Sequence, residues 1–310
     1  MTDVKHSIRA VSQRTGLSSH AIRIWEKRYG AVTPTRTSTN RRLYTEAEIE
    51  RLSLLHQATQ TGHNIGNVAH LATEQLRKLA SQPRALPAAG AETGASAADA
   101  AQTLEHCLAA IRRLDSQALE QLLERGAVLH GQHGLLHQVI APLTQRLGES
   151  WREGSLTAAH EHMATWVLRL FLGRVSKPFA LNGIAPLLVV ATPAGQLHEM
   201  GAVMVSAAAS DSGWKVNYLG GSLPATDIAG VAIQNAARAV ALSIVYPEDD
   251  PQLAAELQNL RRYLPPAVAI LVGGRAAPAY RDAIQAIGAL SCGDLQELYG
   301  HLDRLRQPRG

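Results

Sequence analysis

Aromatic residues are few in this 310-residue chain, with two Phe, four Trp and seven Tyr against abundant alanine. Cysteine is scarcer still: Cys107 and Cys292 are the whole supply, each inside a stretch of regular periodicity. That excludes a disulfide framework and points to a reducing cytoplasm. The first residues lack the apolar centre of an export signal, and no apolar run approaches the ~18 residues of a spanning helix. Also missing are the glycine-rich phosphate loop of nucleotide hydrolases, a nucleophile elbow, a compact carboxylate pair and any catalytic barrel. Nothing here marks an enzyme.

What is present is unevenly placed. Residues 1–80 hold 12 Lys and Arg against six Asp and Glu, whereas the remainder holds 18 against 20. Basicity at one end, with no apolar anchor beside it, implies an anionic partner for that end alone, and double-stranded DNA before a membrane. The length allows two or three domains, each with its own core.

Within the basic end, Ile8, Val11 and Leu17 surround Arg14-Thr15-Gly16, and Ser18-Ser19-His20-Ala21-Ile22-Arg23-Ile24-Trp25-Glu26-Lys27-Arg28-Tyr29 follows. A short helix, a glycine turn and a second helix capped by Ser18 make a helix-turn-helix. The basic, turn-rich stretch from Ala31 to Tyr44 suits a two-stranded wing, and Thr45-Glu46-Ala47-Glu48 is a capping box that starts a further helix with Ile49, Leu52 and Leu55 on one face. A last helix over 64–80 carries Ile65, Val68 and Leu71.

Residues 6–75 resemble the winged helix-turn-helix of the MerR family of transcription regulators. The carrying residues are Ile22-Arg23-Ile24-Trp25-Glu26-Lys27-Arg28-Tyr29-Gly30 and Asn40-Arg41-Arg42-Leu43-Tyr44-Thr45. The resemblance implies that Ser18, His20 and Arg23 face the major groove, while Arg41, Arg42 and Tyr44 hold phosphates from the wing. Guanidinium groups suit both tasks, because they stay charged and donate bidentately to phosphate or guanine edges. Trp25 and Leu43 are assigned to the module's core.

Prolines, glycines and small residues over 81–100 read as a flexible linker that tethers the module of residues 1–80. Residues 101–180 then read as four amphipathic helices. Their stripes are Leu104, Cys107, Leu108, Ile111 and Leu114; Leu119, Leu122 and Leu123; Leu135, Leu136, Val139, Ile140 and Leu143; and Met163, Trp166, Val167, Leu170 and Phe171. Such helices make an up-down bundle. His160 and His162 lie two positions apart, hence about 200° apart around a helix, and cannot chelate one ion together. His162 is expected to border the apolar face and His160 to meet solvent.

Over 181–310 the pattern alternates, with strands expected at 186–192, 215–219, 239–246, 267–272 and 289–292 and helices near 201–212, 224–236, 250–263, 277–287 and 294–306. Five βα units give a doubly wound parallel sheet, most simply in the flavodoxin-like order 2-1-3-4-5. The fold class is therefore α plus α/β multidomain: an N-terminal winged helix-turn-helix, a four-helix bundle and a C-terminal Rossmann-like five-stranded parallel sheet. Gln196-Leu197-His198-Glu199-Met200-Gly201 follows the first of these strands, where open α/β sheets bind ligands. An imidazole there reaches a ligand or metal, and the glycine lets backbone come close.

This last domain is similar to the cobalamin-binding fold of methionine synthase and related mutases. Gln196-x-His198-x-x-Gly201, Ser243-x-Val245 and Gly273-Gly274 stand where that family has Asp-x-His-x-x-Gly, Ser-x-Leu and Gly-Gly. Trp151, nine residues, then Glu161-His162 is similar to the signature of light-sensing, cobalamin-binding MerR regulators of the CarH/LitR type. The resemblance implies His198 as the lower axial ligand of cobalt, and Gly201, Ser243, Val245, Gly273 and Gly274 as the slot for the nucleotide tail. It implies Trp151, Glu161 and His162 as walls of the adenosyl pocket. It further implies a repressor that holds adenosylcobalamin, grips its operator in the dark as a homo-oligomer, a tetramer, and changes assembly when light cleaves the Co–C bond.

Two positions depart from the pattern. Arg152 follows Trp151 where light-sensing relatives carry a histidine, and a protonated guanidinium does not ligate cobalt. Gln196 replaces the carboxylate that orients the axial histidine; its amide oxygen is expected to accept the Nδ1–H of His198 without the negative charge. These departures keep a second reading open: a divergent domain that senses another ligand or tetrapyrrole, or that answers to a protein partner without cobalamin.

Overall fold

The structure, a computed structural model, describes residues 5–17, 19–37, 41–60, 65–81, 94–175 and 185–307, in two compact units divided between Ala164 and Thr165. The first unit opens with β1 (His6–Ser7), α1 (Ile8–Thr15), α2 (Ser19–Tyr29), β2 (Thr35–Arg36), β3 (Arg42–Tyr44), α3 (Glu46–Gln60), α4 (Ile65–Val68) and α5 (Thr73–Ser81). Gly16 ends α1 at φ 75, in the left-handed region that glycine adopts without penalty. The wing gains a third strand, because β1 pairs with β3 opposite β2 in the order β1-β3-β2. The capping box forms as expected: Glu48 N donates to Thr45 Oγ1 at 3.3 Å, and Thr45 N donates to Glu48 Oε2 at 2.8 Å. The expected helix 64–80 is two helices instead. Ala72 N donates to Gln75 Oε1 at 2.9 Å, so a fresh N-terminus begins there. Val11, Ile22, Trp25, Leu52, Leu55, Ile65 and Leu76 fill the core. Arg51 ties its edge together by donating to the carbonyls of Ala31, Ala69 and Leu71.

The helical segment comprises α6 (Gly94–Arg112), α7 (Ser116–Leu135), a π-helical turn (Leu136–Ile140), α8 (Ala141–Arg152) and α9 (Ala158–Val175). Residues 94–100, expected in the linker, belong to α6, as their alanines favour; residues 82–93 lie outside the described residues. Leu114, expected in the first stripe, sits past the end of α6 with φ 55 and is 48 % exposed. Asp115 caps α7 by accepting from Ala118 N at 2.9 Å. The α7 run breaks at Gly131, whose φ of 70 and ψ of 172 are not helical. At this break the helices meet the DNA module. Val128 packs against the module's core, its carbonyl accepts Trp25 Nε1–H at 3.4 Å, and a Cβ on Gly131 would lie 2.7 Å from the Thr59 carbonyl oxygen. The winged module and α7 thus share a packed surface, in addition to the chain that joins them.

The second unit holds β4 (Leu187–Ala191), α10 (Met200–Asp211), β5 (Lys215–Tyr218), α11 (Ala225–Gln234), β6 (Ala239–Ser243), α12 (Leu253–Tyr263), β7 (Ala269–Gly273), a 3-10 turn (Ala277–Tyr280), α13 (Arg281–Ala286), β8 (Leu290–Cys292) and α14 (Leu295–Arg306). All strands are parallel in the order β5-β4-β6-β7-β8, which is 2-1-3-4-5 within the domain. β6 is buried throughout and β4 and β7 except at their ends, with Val189, Val240, Ile270 and Val272 in one cluster. Apolar runs rather than alternation are what a sheet covered on both faces demands. The carboxyl ends of β4, β6 and β7 lie side by side in register, Ser243 beside Gly273, and there the candidate cofactor residues converge.

Candidate cofactor and DNA-binding sites

On the winged module, Arg23 of α2 and Arg41 of the wing are exposed. Arg42 is drawn inward: its Nε donates to Glu26 Oε2 at 2.7 Å, with Arg36 3.8 Å from the same carboxylate. Glu26, the acid between Trp25 and Lys27, thereby pins the wing to α2, a task its place in a basic helix did not advertise. Tyr44, expected at the phosphate-facing surface, is fully buried in the core, and its hydroxyl has no partner among the described residues. Its ring is mostly apolar, and core packing outweighs one hydroxyl. Ser18 and the side chain of His20 lie outside the described residues.

Burial, followed by the charge of Glu26, pushes the Tyr44 phenol up from 10.0 to about 12. The unfolded chain therefore loses this proton first as pH rises. The contribution of the neutral phenol to stability is complete below pH 10 and is lost as pH climbs through 12. Removing a buried hydroxyl that lacks a partner relieves a cost of about 1–3 kcal/mol. Tyr44→Phe is therefore expected to hold or raise the melting temperature at pH 7 and to flatten the alkaline loss, as thermal unfolding across pH would record.

In the second unit, Gln196 is fully buried while His198, two residues on, is exposed. Gln196 Oε1 accepts from Val245 N at 2.9 Å and Tyr246 N at 3.0 Å, and its Nε2 donates to the Pro247 carbonyl at 3.5 Å. The expected bond to His198 is not formed, because the two backbone N–H groups take the amide oxygen. A buried amide must satisfy both ends, and the loop after β6 supplies the partners. The His198 ring has no hydrogen bond among the described residues. It meets the Tyr246 ring edge-on, with centroids 6.1 Å apart and an interplanar angle of 80°.

Glu199, the next residue, is held by partners of its own. Its Oε2 accepts from Arg169 at 2.9 Å and from the Tyr218 hydroxyl, and its Cγ lies over Gly221, where a Cβ would come within 2.8 Å. Burial raises the Tyr218 phenol and Glu199 raises it further, so it stays a donor. Of the residues expected to form the slot, Ser243 has its Oγ buried without a partner among the described residues, and a Cβ on Gly201 would strike it. Gly274, at φ 105, presses on the Ile244 backbone, and a Cβ on Gly273 would lie 2.8 Å from the Cys292 carbonyl. Gly201, Ser243, Gly273 and Gly274 are thus gathered in one place, with Val245 reached through Gln196.

The candidate upper-face residues belong to the first unit. Trp151 is 53 % exposed at the end of α8. Arg152 Nε donates to the Gly148 carbonyl at 3.1 Å. His160 stays toward solvent as expected, its Nδ1 accepting from Thr157 N at 3.2 Å at the start of α9, whereas His162, expected at the apolar face, has a side chain 80 % exposed, its Nε2 3.6 Å from Glu161. The apolar face of α9 is likewise rotated from the expected stripe. Ala164, Val167, Leu168, Phe171 and Leu172 are buried, while Trp166 and Leu170 are 63 % and 47 % exposed. The helix offers two overlapping apolar stripes, and periodicity alone does not choose between them.

Among the described residues no group of three or more His, Cys, Asp or Glu side chains forms a metal site. A single imidazole does not hold a bare ion, but it suffices as one axial donor to a metal that arrives already ligated by a macrocycle. An exposed imidazole, an unpartnered hydroxyl and backbone cleared of side chains fit a corrinoid with an extended tail. Among the described residues no helix is long and apolar enough to cross a membrane.

Comparison with known proteins agrees. Residues 6–75 match the MerR HTH family regulatory protein, residues 186–294 a B12 binding domain, and residues 103–175 a second family described as B12 binding domain. The chain is 28 % identical to the HTH-type transcriptional repressor CarH of Myxococcus xanthus, over 93 % of this chain and 94 % of that one. It is 25 % identical to the repressor CarA of the same organism, over 96 % of each. Among solved structures, the monomethylamine corrinoid protein of Methanosarcina barkeri superposes with a TM-score of 0.50 at 16 % identity, over 65 % of this chain and 97 % of that one, which speaks to the fold alone.

Proposed function

Because the chain is a MerR-type transcriptional repressor with B12-binding domains, we propose that it senses light through adenosylcobalamin and answers by changing its assembly on DNA. The observation that carries the cofactor half of this reading is an exposed His198 three residues before Gly201, which faces a buried Ser243 Oγ that has no partner among the described residues. His198 would supply the lower axial nitrogen. Gly201, Ser243, Val245, Gly273 and Gly274 would take the nucleotide tail, with the serine hydroxyl gaining the partner it lacks. Trp151, Glu161 and His162 would line the adenosyl side. When bound, adenosylcobalamin supplies a cobalt–carbon bond that light breaks. Arg152 stays protonated at the position beside Trp151 and offers no lone pair there.

The DNA half rests on the winged module. Arg23 and Arg41 are exposed for major-groove and phosphate contacts, and Arg42 becomes available by exchanging Glu26 for a phosphate; the resemblance adds Ser18 and His20 as groove-facing residues. Tyr44 supports this face from within. One small module binds weakly, and several joined in a dark homo-oligomer, a tetramer, bind far more tightly because each further contact is intramolecular. Loss of that assembly in light releases the operator, in a cytoplasmic setting.

The test is the absorption spectrum of the chain loaded with adenosylcobalamin, with gel filtration in the dark and after illumination. The expected result is a spectrum that His198→Ala alters and an assembly that shrinks in light. An unaltered spectrum removes His198 as ligand, and an unchanged elution volume removes the light response.

A further inference from the structure

Gln196, two residues before His198, is tied down, whereas the His198 ring has no hydrogen bond among the described residues. Gln196 is sealed beneath the surface with its amide oxygen shared between Val245 N and Tyr246 N and its amide nitrogen directed at the Pro247 carbonyl. Pro247 is held in turn, because its carbonyl accepts from the Tyr280 hydroxyl at 3.2 Å and Asp250 N donates to that hydroxyl's oxygen at 2.7 Å. On the near side, the main chain of Gln196 closes its own loop, its carbonyl accepting from Ser222 N at 3.2 Å and from the Thr192 hydroxyl. One side chain therefore joins the turn after β4, which carries His198, to the turn after β6, which carries Tyr246, and Tyr246 is the ring that His198 meets.

The chemistry of the amide matters here. It accepts and donates at once, as two N–H groups and one carbonyl require, whereas a carboxylate only accepts. An unpaired group in this place would cost its desolvation.

We propose that Gln196 is a positioning residue for His198 that works through the backbone: it locks the turn after β4 to the Val245–Pro247 turn, sets the Tyr246 ring against the imidazole, and leaves the imidazole without an anionic partner. This rests on His198 being the axial ligand to cobalt. His198 would then ligate through an imidazole whose direction is set by Tyr246 and by the clamped main chain.

The test uses the full chain, uniformly labelled with 15N-histidine, with Gln196→Ala, Gln196→Glu and His198→Ala alone and combined. Amide hydrogen exchange on the cofactor-free protein reads the clamp. Gln196→Ala is expected to speed exchange at Val245 and Tyr246 by about tenfold or more, because their bonds open locally, and to do so equally when residue 198 is alanine. Gln196→Glu keeps an acceptor for Val245 N and Tyr246 N while losing the donor to the Pro247 carbonyl, so it is expected to lower stability but to preserve most of the protection at those two amides, which separates loss of the clamp from loss of the fold.

The second readout is the electron paramagnetic resonance spectrum after loading with cob(II)alamin, where a 15N axial nitrogen from His198 splits each cobalt line into a doublet. Wild type and Gln196→Glu are expected to show the doublet and Gln196→Ala a reduced share of it. Unchanged exchange at Val245 and Tyr246 in Gln196→Ala overturns the clamp. So does an exchange effect that vanishes in the His198→Ala background, since Gln196 would then act through the imidazole. Absence of the doublet in wild type overturns the ligand assignment, and with it the clamp's role toward cobalt, while the exchange data report separately on the clamp itself.

Discussion

Gly274→Ala is expected to destabilise the second unit by about 2–5 kcal/mol, combining left-handed backbone strain with overpacking against neighbours that cannot move. Gly274 has φ 105, and the atoms a Cβ would meet are the main-chain N, C and O of Ile244. Ile244 N also donates to the Gly273 carbonyl at 2.8 Å, so the two strand ends cannot separate without breaking the ladder between β6 and β7. The same shift would move Ser243 relative to Gly201, and cobalamin binding should weaken with the fold. Gly288→Ala is the control: it has φ 63 but nothing within 4 Å of its Cβ position, so only conformational strain of about 1–2 kcal/mol applies. Urea unfolding of both variants, with adenosylcobalamin titrations, checks the difference. Equal losses would mean that Gly274 makes no such contact.

Gly131→Ala is expected to act at the joint between the DNA module and α7. The residue combines φ 70 with a Cβ position 2.7 Å from the Thr59 carbonyl oxygen. The expected loss is about 2–4 kcal/mol from strain and crowding, and its consequence is local: the Trp25 to Val128 bond and the packing of Val128 lose their support. Gly154→Ala has a similar φ of 75 and open space, so it isolates the strain. Thermal unfolding gives the difference in stability. Exchange of the Trp25 indole N–H shows whether the joint opens in Gly131→Ala and stays closed in Gly154→Ala. If both variants behave alike, the packed joint does not restrain the module in solution.

Under the proposed function, the joint would give a signal a second route to DNA. A module on a free tether responds to assembly alone, through the number of modules brought to one operator. A module that also rests on α7 through Val128 and Gly131 feels the position of that helix. A movement in the helical segment then has a direct mechanical route to α2.

The sheet and its strand order were legible because buried parallel strands are written as apolar runs, and because glycines and a serine at their carboxyl ends, Gly201, Ser243, Gly273 and Gly274, have few other reasons to occur together. The winged module was legible from its turn glycine, capping box and basic second helix. Other features depend on partners distant in sequence. Gln196 is fixed by backbone groups of the turn after β6, and no local pattern around it names them. Tyr44 carries both a ring and a hydroxyl, and sequence does not say which prevails; here the ring does. In α9 the alanine- and leucine-rich surface supports two stripes, so the burial of Leu168 in place of Trp166 and the exposure of His162 emerge only from packing. The break at Gly131 is hidden because helical periodicity continues on both sides of it.

The central claim is that light acts on DNA binding through a cobalamin held by His198. It is tested most directly by the affinity of the full chain, loaded with adenosylcobalamin, for a DNA fragment it has selected from a random pool, measured in the dark and after illumination. Tight binding in the dark that is lost on illumination is expected, with no such light response in His198→Ala. Equal affinity in dark and light for the loaded wild-type chain would contradict it.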